Sequence, residues 1–210
     1  MPSPACPGAV KIVGGVPPEP STAGTLATLG RVRRLLLGVA LGPLLLLVSA
    51  CGSGTPTATT TAAVRPLPAG PVPSPIALMV CRSKVQREIN AVLGVTATVS
   101  DRTWVGHKYS CRYGYPNGSF ELSVQELSSW NQTLTYFHGL GSQLGHPQTL
   151  DNLGQGAFRT SGGNVVVRKD WKVLLVDVSG LPSPFGNPPT SATDVAFTVA
   201  DIILGCWDGD

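Results

Sequence analysis

The sequence predicts one α+β domain over residues 76–210, with an antiparallel sheet of about four to six strands covered by about three helices. A leader and a flexible linker precede it. Three observations predict this class. "CRSKVQREINAVLG" reads as an amphipathic helix with both ends marked, and "KYSCRYGYPNGSFELSVQEL" as two alternating segments about Asn117-Gly118. Residues 157–180 then read as further strands, followed by an apolar helix that stops at Gly205.

The leader is residues 1–50. Leu35–Ala50 carries no charge and is dominated by Leu, Val and Ala, with Arg31, Arg33 and Arg34 just before it. Basic residues, an apolar run and small residues make the pattern of an exported chain. The run is short for a membrane span, which needs roughly 20 apolar residues, and Gly42-Pro43 weakens it further as a helix. Residues 1–31 are rich in Pro and Gly and have no sustained period, so translation is expected to begin near Val32, leaving 32–50 as the signal peptide. Val48-Ser49-Ala50-Cys51 is an aliphatic residue, two small residues and a cysteine, and it resembles the bacterial lipobox. That resemblance implies cleavage between Ala50 and Cys51, diacylglycerol in thioether linkage on Cys51, acylation of the new amino terminus, and anchoring at the extracytoplasmic face of the cell membrane.

Processing changes the charge. The whole chain has 15 basic and 12 acidic residues; removing four basic (Lys11, Arg31, Arg33, Arg34) and one acidic (Glu19) leaves 11 of each. A mature chain with scattered, balanced charge lacks the clustered cations that neutralise phosphates, so nucleic acid is excluded as a partner. Residues 51–75 are the lipidated cysteine and a Pro/Thr-rich linker with almost nothing to bury. Extended at roughly 3.1 Å per residue, such a tract holds a domain some tens of Å from the bilayer.

In the domain, Ser83 is expected to cap the first helix with Gln86 completing a capping box. Val85, Ile89, Val92 and Leu93 form one apolar stripe, and Gly94 supplies the stop. With Asn117-Gly118 as the hairpin turn, Tyr115 faces Phe120, Tyr113 faces Leu122 and Cys111 faces Val124. Cys111 then points to the core face. A weaker helix follows at "SSWNQTLTYFHGLGSQLG", eroded by Gly139 and Gly141. "LGQGAF" leads into two or three strands with turns at Gly162-Gly163 and around Asp170. In the last helix Ser191 and Asp194 mark the start, and Val195, Val199, Ile202 and Ile203 the buried stripe.

Cleavage and lipidation leave Cys81, Cys111 and Cys206. Outside the membrane, thiols tend to pair. Cys81 with Cys111 ties the helix start to the hairpin; the alternative is that Cys206 pairs with one of them. The cysteine left over is expected to be a buried thiol or one directed at a partner, the buried thiol being the commoner case. Cys81 before a helix ending "AVLG", Cys111 in "YSCRYGY", the "LGQGAF" turn and the apolar final helix together resemble the small cysteine-paired lipoproteins of mycobacteria and related actinobacteria, most of unknown function. The added Cys206 departs from their two-cysteine pattern.

No catalytic motif is present, and no catalytic residue, metal ligand or cofactor is expected. The sequence has no nucleophile elbow, no paired-histidine zinc helix and no phosphate-binding loop. His107, His138 and His146 are not spaced as a local ligand set. Trp104, Trp130, Trp171 and Trp207 are candidates for a binding face, with a core role the commoner fate. Phe185, in "GLPSPFGNPP", is expected to be exposed in a contact loop. The reading is a lipid-anchored, non-enzymatic envelope module that binds a protein or a small apolar ligand. The alternatives are an envelope hydrolase with a dispersed site, or an accessory or sensor subunit of a membrane complex.

Overall fold

The computed structural model describes residues 66–207. In chain order the elements are α1 (Pro75–Met79), α2 (Ser83–Leu93), β1 (Thr98–Val105), β2 (Lys108–Tyr115), β3 (Gly118–Glu126), α3 (Trp130–Leu144), β4 (Gln148–Leu150), β5 (Gly156–Arg159), β6 (Val165–Lys169), β7 (Lys172–Asp177) and α4 (Ala192–Gly205). The strands form one antiparallel sheet in the order β1-β2-β3-β7-β6-β5-β4. The domain is therefore α+β as expected, although the sheet has seven strands among the described residues and four helices accompany it. Two meanders, β1–β3 and β4–β7, meet at the β3–β7 pair, and α3 carries the chain from the centre to the far edge.

Two hairpin turns are of the type that matches strand twist. Gly106-His107 and Asp170-Trp171 have both central residues at positive φ, 58° and 60° in the first, 49° and 45° in the second. The β2–β3 turn differs, and it corrects the expected register. Tyr115 pairs with Gly118, Tyr113 with Phe120 and Cys111 with Leu122, so the turn residues are Pro116 and Asn117. Neither Asn117 nor Gly118 has a positive φ. Proline in second place and glycine in fourth suit an ordinary type I turn. The slip is two residues, equal to the side-chain period, so every side chain stays on its expected face. Gly118 is needed for close approach instead: a Cβ there would lie 2.6 Å from the Gly180 carbonyl oxygen and 2.8 Å from Pro182.

The helices α1, α2 and α4 cover one face. Their buried residues (Ala77, Val85, Ile89, Leu93, Val195, Val199, Ile203) join Tyr113, Leu122, Val124, Val167, Leu174 and Val176 in one core. Two details of α2 differ from expectation. Arg82 takes the cap position without a side-chain bond, while the Gln86 amide donates to the Ala97 carbonyl at 2.7 Å. Val92 is 45% exposed, outside the Val85–Ile89–Leu93 stripe. Gly94, at φ 64°, does end the helix in the left-handed conformation.

Cys81 and Cys111 are bridged, with Cα atoms 6.0 Å apart. Beside the bridge the Tyr113 hydroxyl donates to the Val80 carbonyl at 2.7 Å, and Tyr113 stacks on Phe120 with centroids 4.8 Å apart. Cys206 is disulfide-bonded as well, so the expected buried thiol at that position is not what the structure holds.

On the second face α3 covers only the β5–β7 half. Phe137 of the helix packs with Phe158, Val166 and Val173 in a separate, smaller cluster. The β2–β3 part of this face presents Arg112, Glu121 and Gln125 instead. The chain also settles onto the domain earlier than residue 76. Ala69 N–H donates to the Leu127 carbonyl at 3.1 Å, the Trp104 indole donates to the Pro71 carbonyl, and Ser74 N–H donates to Glu126 Oε1 at 2.9 Å.

These contacts set two expected outcomes. Replacing both Cys81 and Cys111 by alanine frees a loop spanning a sequence separation of 30, and should lower the unfolding free energy by about 3 to 4 kcal/mol in urea titrations. Gly118→Ala should cost about 1 to 3 kcal/mol through overpacking. Gly139→Ala, where a Cβ meets nothing within 4 Å inside α3, should instead stabilise by about 1 kcal/mol.

Candidate functional site

The cavity that stands out among the described residues is a groove of about 700 Å³ between α3 and the β4–β5 side of the sheet. Its near wall is α3, whose start is fixed locally. The Ser129 hydroxyl accepts from Gln132 N–H, and Gln132 Oε1 accepts from Ser128 N–H at 2.9 Å, a reciprocal cap. Phe137 and Gly141 turn toward the sheet. Phe137 meets Phe158 edge-to-face at 4.9 Å, and these two rings floor the groove with Pro147 and Leu150.

The far wall is the turn that begins "LGQGAF". Gly154 has φ 60°, and a Cβ on it would lie 2.6 Å from Val167 Cγ1 and 2.8 Å from the Arg168 carbonyl oxygen. A Cβ on Gly156 would lie 2.7 Å from Arg168 Nε. The glycines thus let the turn lie flat on β6 and let the Arg168 side chain pass over it. Gln155 completes the contact, its N–H donating to the Arg168 carbonyl at 2.9 Å while its side-chain oxygen accepts from Asp170 N–H.

Arg168 is the one Lys or Arg of this lining. Its guanidinium carbon lies 4.6 Å from the Trp130 ring centroid and 5.6 Å from that of Phe137. Nη1 is buried and has no hydrogen-bond partner among the described residues. Asp170 Oδ2 is in the same condition, although Oδ1 accepts from the Gln155 amide at 3.3 Å. Tyr136, next to Phe137, packs against the same small cluster, and burial pushes its phenol above the ordinary value.

Apart from Trp130 and His138, the residues singled out from sequence fall elsewhere. Ala50 and Cys51 lie outside the described residues. Cys81 and Cys111 are 2% and 1% exposed, and their bridge belongs to the core. Phe185 requires a correction. It is 4% exposed, not a free contact residue. The loop around it forms a small bridge in which Phe185 and Thr190 exchange backbone hydrogen bonds at 2.8 Å, and Asn187 N–H donates to the Leu93 carbonyl at the end of α2. Phe185 fits edge-on against Tyr115, with centroids 4.8 Å apart. The Tyr115 hydroxyl is buried without a hydrogen-bond partner among the described residues, and desolvation raises its pKa.

Of the three histidines, His138 reaches the groove, His107 sits in the β1–β2 turn with Nδ1 3.0 Å from the Gly70 carbonyl oxygen, and His146 lies just beyond α3. No three His, Cys, Asp or Glu side chains gather as a metal set among the described residues. Trp207 is buried, whereas Trp130 is 40% exposed at the groove rim. Trp130 was among the candidates for a binding face, but sequence reasoning missed Arg168 beside it; the signal was in "LGQGAF", whose glycines mark a close backbone approach.

Compared with known proteins, the chain matches no family model, no curated protein and no solved structure. Because Phe185 is buried, Phe185→Ala should behave as a core truncation, costing about 3 to 5 kcal/mol in urea unfolding. A loss below 1 kcal/mol would return the residue to the surface.

Proposed function

We propose that this chain is a lipid-anchored protein of the cell envelope, facing away from the cytoplasm, whose domain binds a partner or small molecule and performs no chemistry of its own. The observation that carries the reading is the pairing of "VSACGSG" after an apolar run with a buried disulfide in the domain behind it. Disulfides of this kind persist in oxidising compartments. With residues 69–75 held on the domain, residues 52–68 remain as spacer, roughly 50 Å if extended at about 3.1 Å per residue.

The groove supports binding over catalysis. Its side chains are an apolar floor, one guanidinium, the His138 imidazole, the exposed Asp151 carboxylate and several amide or hydroxyl groups. Among the described residues no groove hydroxyl is hydrogen-bonded to a histidine or carboxylate side chain; Ser142 Oγ donates to the His138 main-chain carbonyl instead.

Cys51→Ser should shift the protein from the membrane fraction and abolish the mass of a diacylglyceryl group on the purified chain. Unchanged partitioning would sink the anchor. So would a mapped disulfide joining Cys206 to Cys51 or to Cys6, since the first consumes the sulfur to be lipidated and the second requires an uncleaved leader.

A further inference from the structure

We propose that the groove between α3 and the β4–β5 side binds an amphipathic organic anion, its carboxylate or phosphodiester on Arg168 and its apolar body over Phe137 and Phe158. The inference rests on the reading of the domain as a binding module and names what it binds. Three observations point to an anion. A guanidinium keeps its charge at any working pH and has five donors in a fixed fork. Arg168 is the one Lys or Arg among the groove-lining residues, and no carboxylate of the described residues lies within ion-pair distance of it. Its Nη1 is buried with a donor unused, and a buried donor without an acceptor is costly to keep. A bound oxyanion on the groove-lining side of the guanidinium supplies the missing counter-charge through charge-assisted hydrogen bonds.

The guanidinium is also held in place before any ligand arrives. Trp130 stacks at 4.6 Å, and Gly156 passes beneath Nε where any Cβ would collide. Preorganisation of this kind removes ordering cost from binding. Asp151, the acidic side chain of the lining, is exposed, so solvent screens its repulsion. The rest of the lining sets the body of the ligand. Phe137, Phe158, Pro147 and Leu150 offer apolar surface, and about 700 Å³ accommodates two fused rings or a short acyl chain. A free aryl or alkyl acid and the headgroup end of an anionic lipid share this chemistry.

Calorimetric titration separates the sources and tests the assignment. The protein is purified from whichever fraction it occupies, in a non-ionic detergent, and titrated with 2-naphthoate, with neutral 2-naphthylmethanol, and with dihexanoylphosphatidylglycerol. Comparing wild type and Arg168→Gln in one detergent makes probe partitioning common to both. The expected result is that at least one anion binds about tenfold or more tightly than the alcohol, and that Arg168→Gln removes this preference. Preference for the naphthoate points to free acids, and preference for the lipid to a membrane source. Equal binding of anion and alcohol, no binding of either anion, or a preference that survives in Arg168→Gln overturns the proposal. Should Arg168→Gln fail to fold, Ser142→Trp places a bulky side chain on the exposed groove lining and must weaken the anion at least tenfold; unchanged affinity overturns the proposal equally. The state of Cys51 does not enter the comparison, so loss of the anchor and loss of the ligand are read separately.

Discussion

The covalent link between Cys81 and Cys111 is the constraint on which the domain depends, because of where its two ends lie. Cys81 occupies the short break between α1 and α2, and Cys111 the middle of β2. Joining them fixes the first helical layer to the sheet at a point that hydrogen bonds also secure. Tyr113, two residues along β2, reaches the Val80 carbonyl, and Arg102 of the edge strand β1 donates to the Cys81 carbonyl at 3.2 Å. Two adjacent strands therefore grip one dipeptide. The bridge limits the unfolded chain, while the hydrogen bonds act only in the folded one, so the two kinds of restraint do not duplicate each other.

With that layer fixed, loops find their places by close backbone approach. Gly94 at the end of α2 packs against the Asn187 backbone, and Gly118 against Gly180 and Pro182. The segment from Val178 to Thr190 is thus pinned near both ends, to the α2 terminus and to the β2–β3 turn. Phe185 fills the space between them against Tyr115. A proline-rich loop that looks like a lid is in this chain a wedge. It buries an aromatic ring against Tyr115 of β2.

The legible parts of the fold were those whose signal is periodic. The helices around Val85–Leu93 and Val195–Ile203 carry their stripes in the sequence, and residues 165–177 their strands. The hairpin came through on the correct faces although its register was two residues off, because alternation reports face and not turn. β1 had no such signal. Asp101, at φ 54°, interrupts its register between Ser100 and Thr103, and most of its residues are exposed. β4 has three residues, too few for a period. Phe185 was misplaced since a loop composition says nothing about what the loop covers. Arg168 was hidden for a related reason: its ring partner Trp130 is distant in sequence and is brought to it by α3, while Gly156 meets it through the β5–β6 pairing.

The division of the core into two clusters explains why the groove lies where it does. Unfilled volume beside a side chain forfeits dispersion contacts and weakens the fold. Such a void is tolerable only on a face whose packing the domain does not need. The first face, with three helices and the disulfide, carries most of the buried apolar residues. The second has four buried ones, under a helix that contains two glycines. Gly141 has ordinary space for a methyl group, and at Gly139 a Cβ would meet nothing, so neither is required by crowding. A chain selected only for stability would fill those positions and satisfy Arg168 Nη1. The cavity, the glycine-weakened wall and the unused donor thus fall together on the less cohesive face.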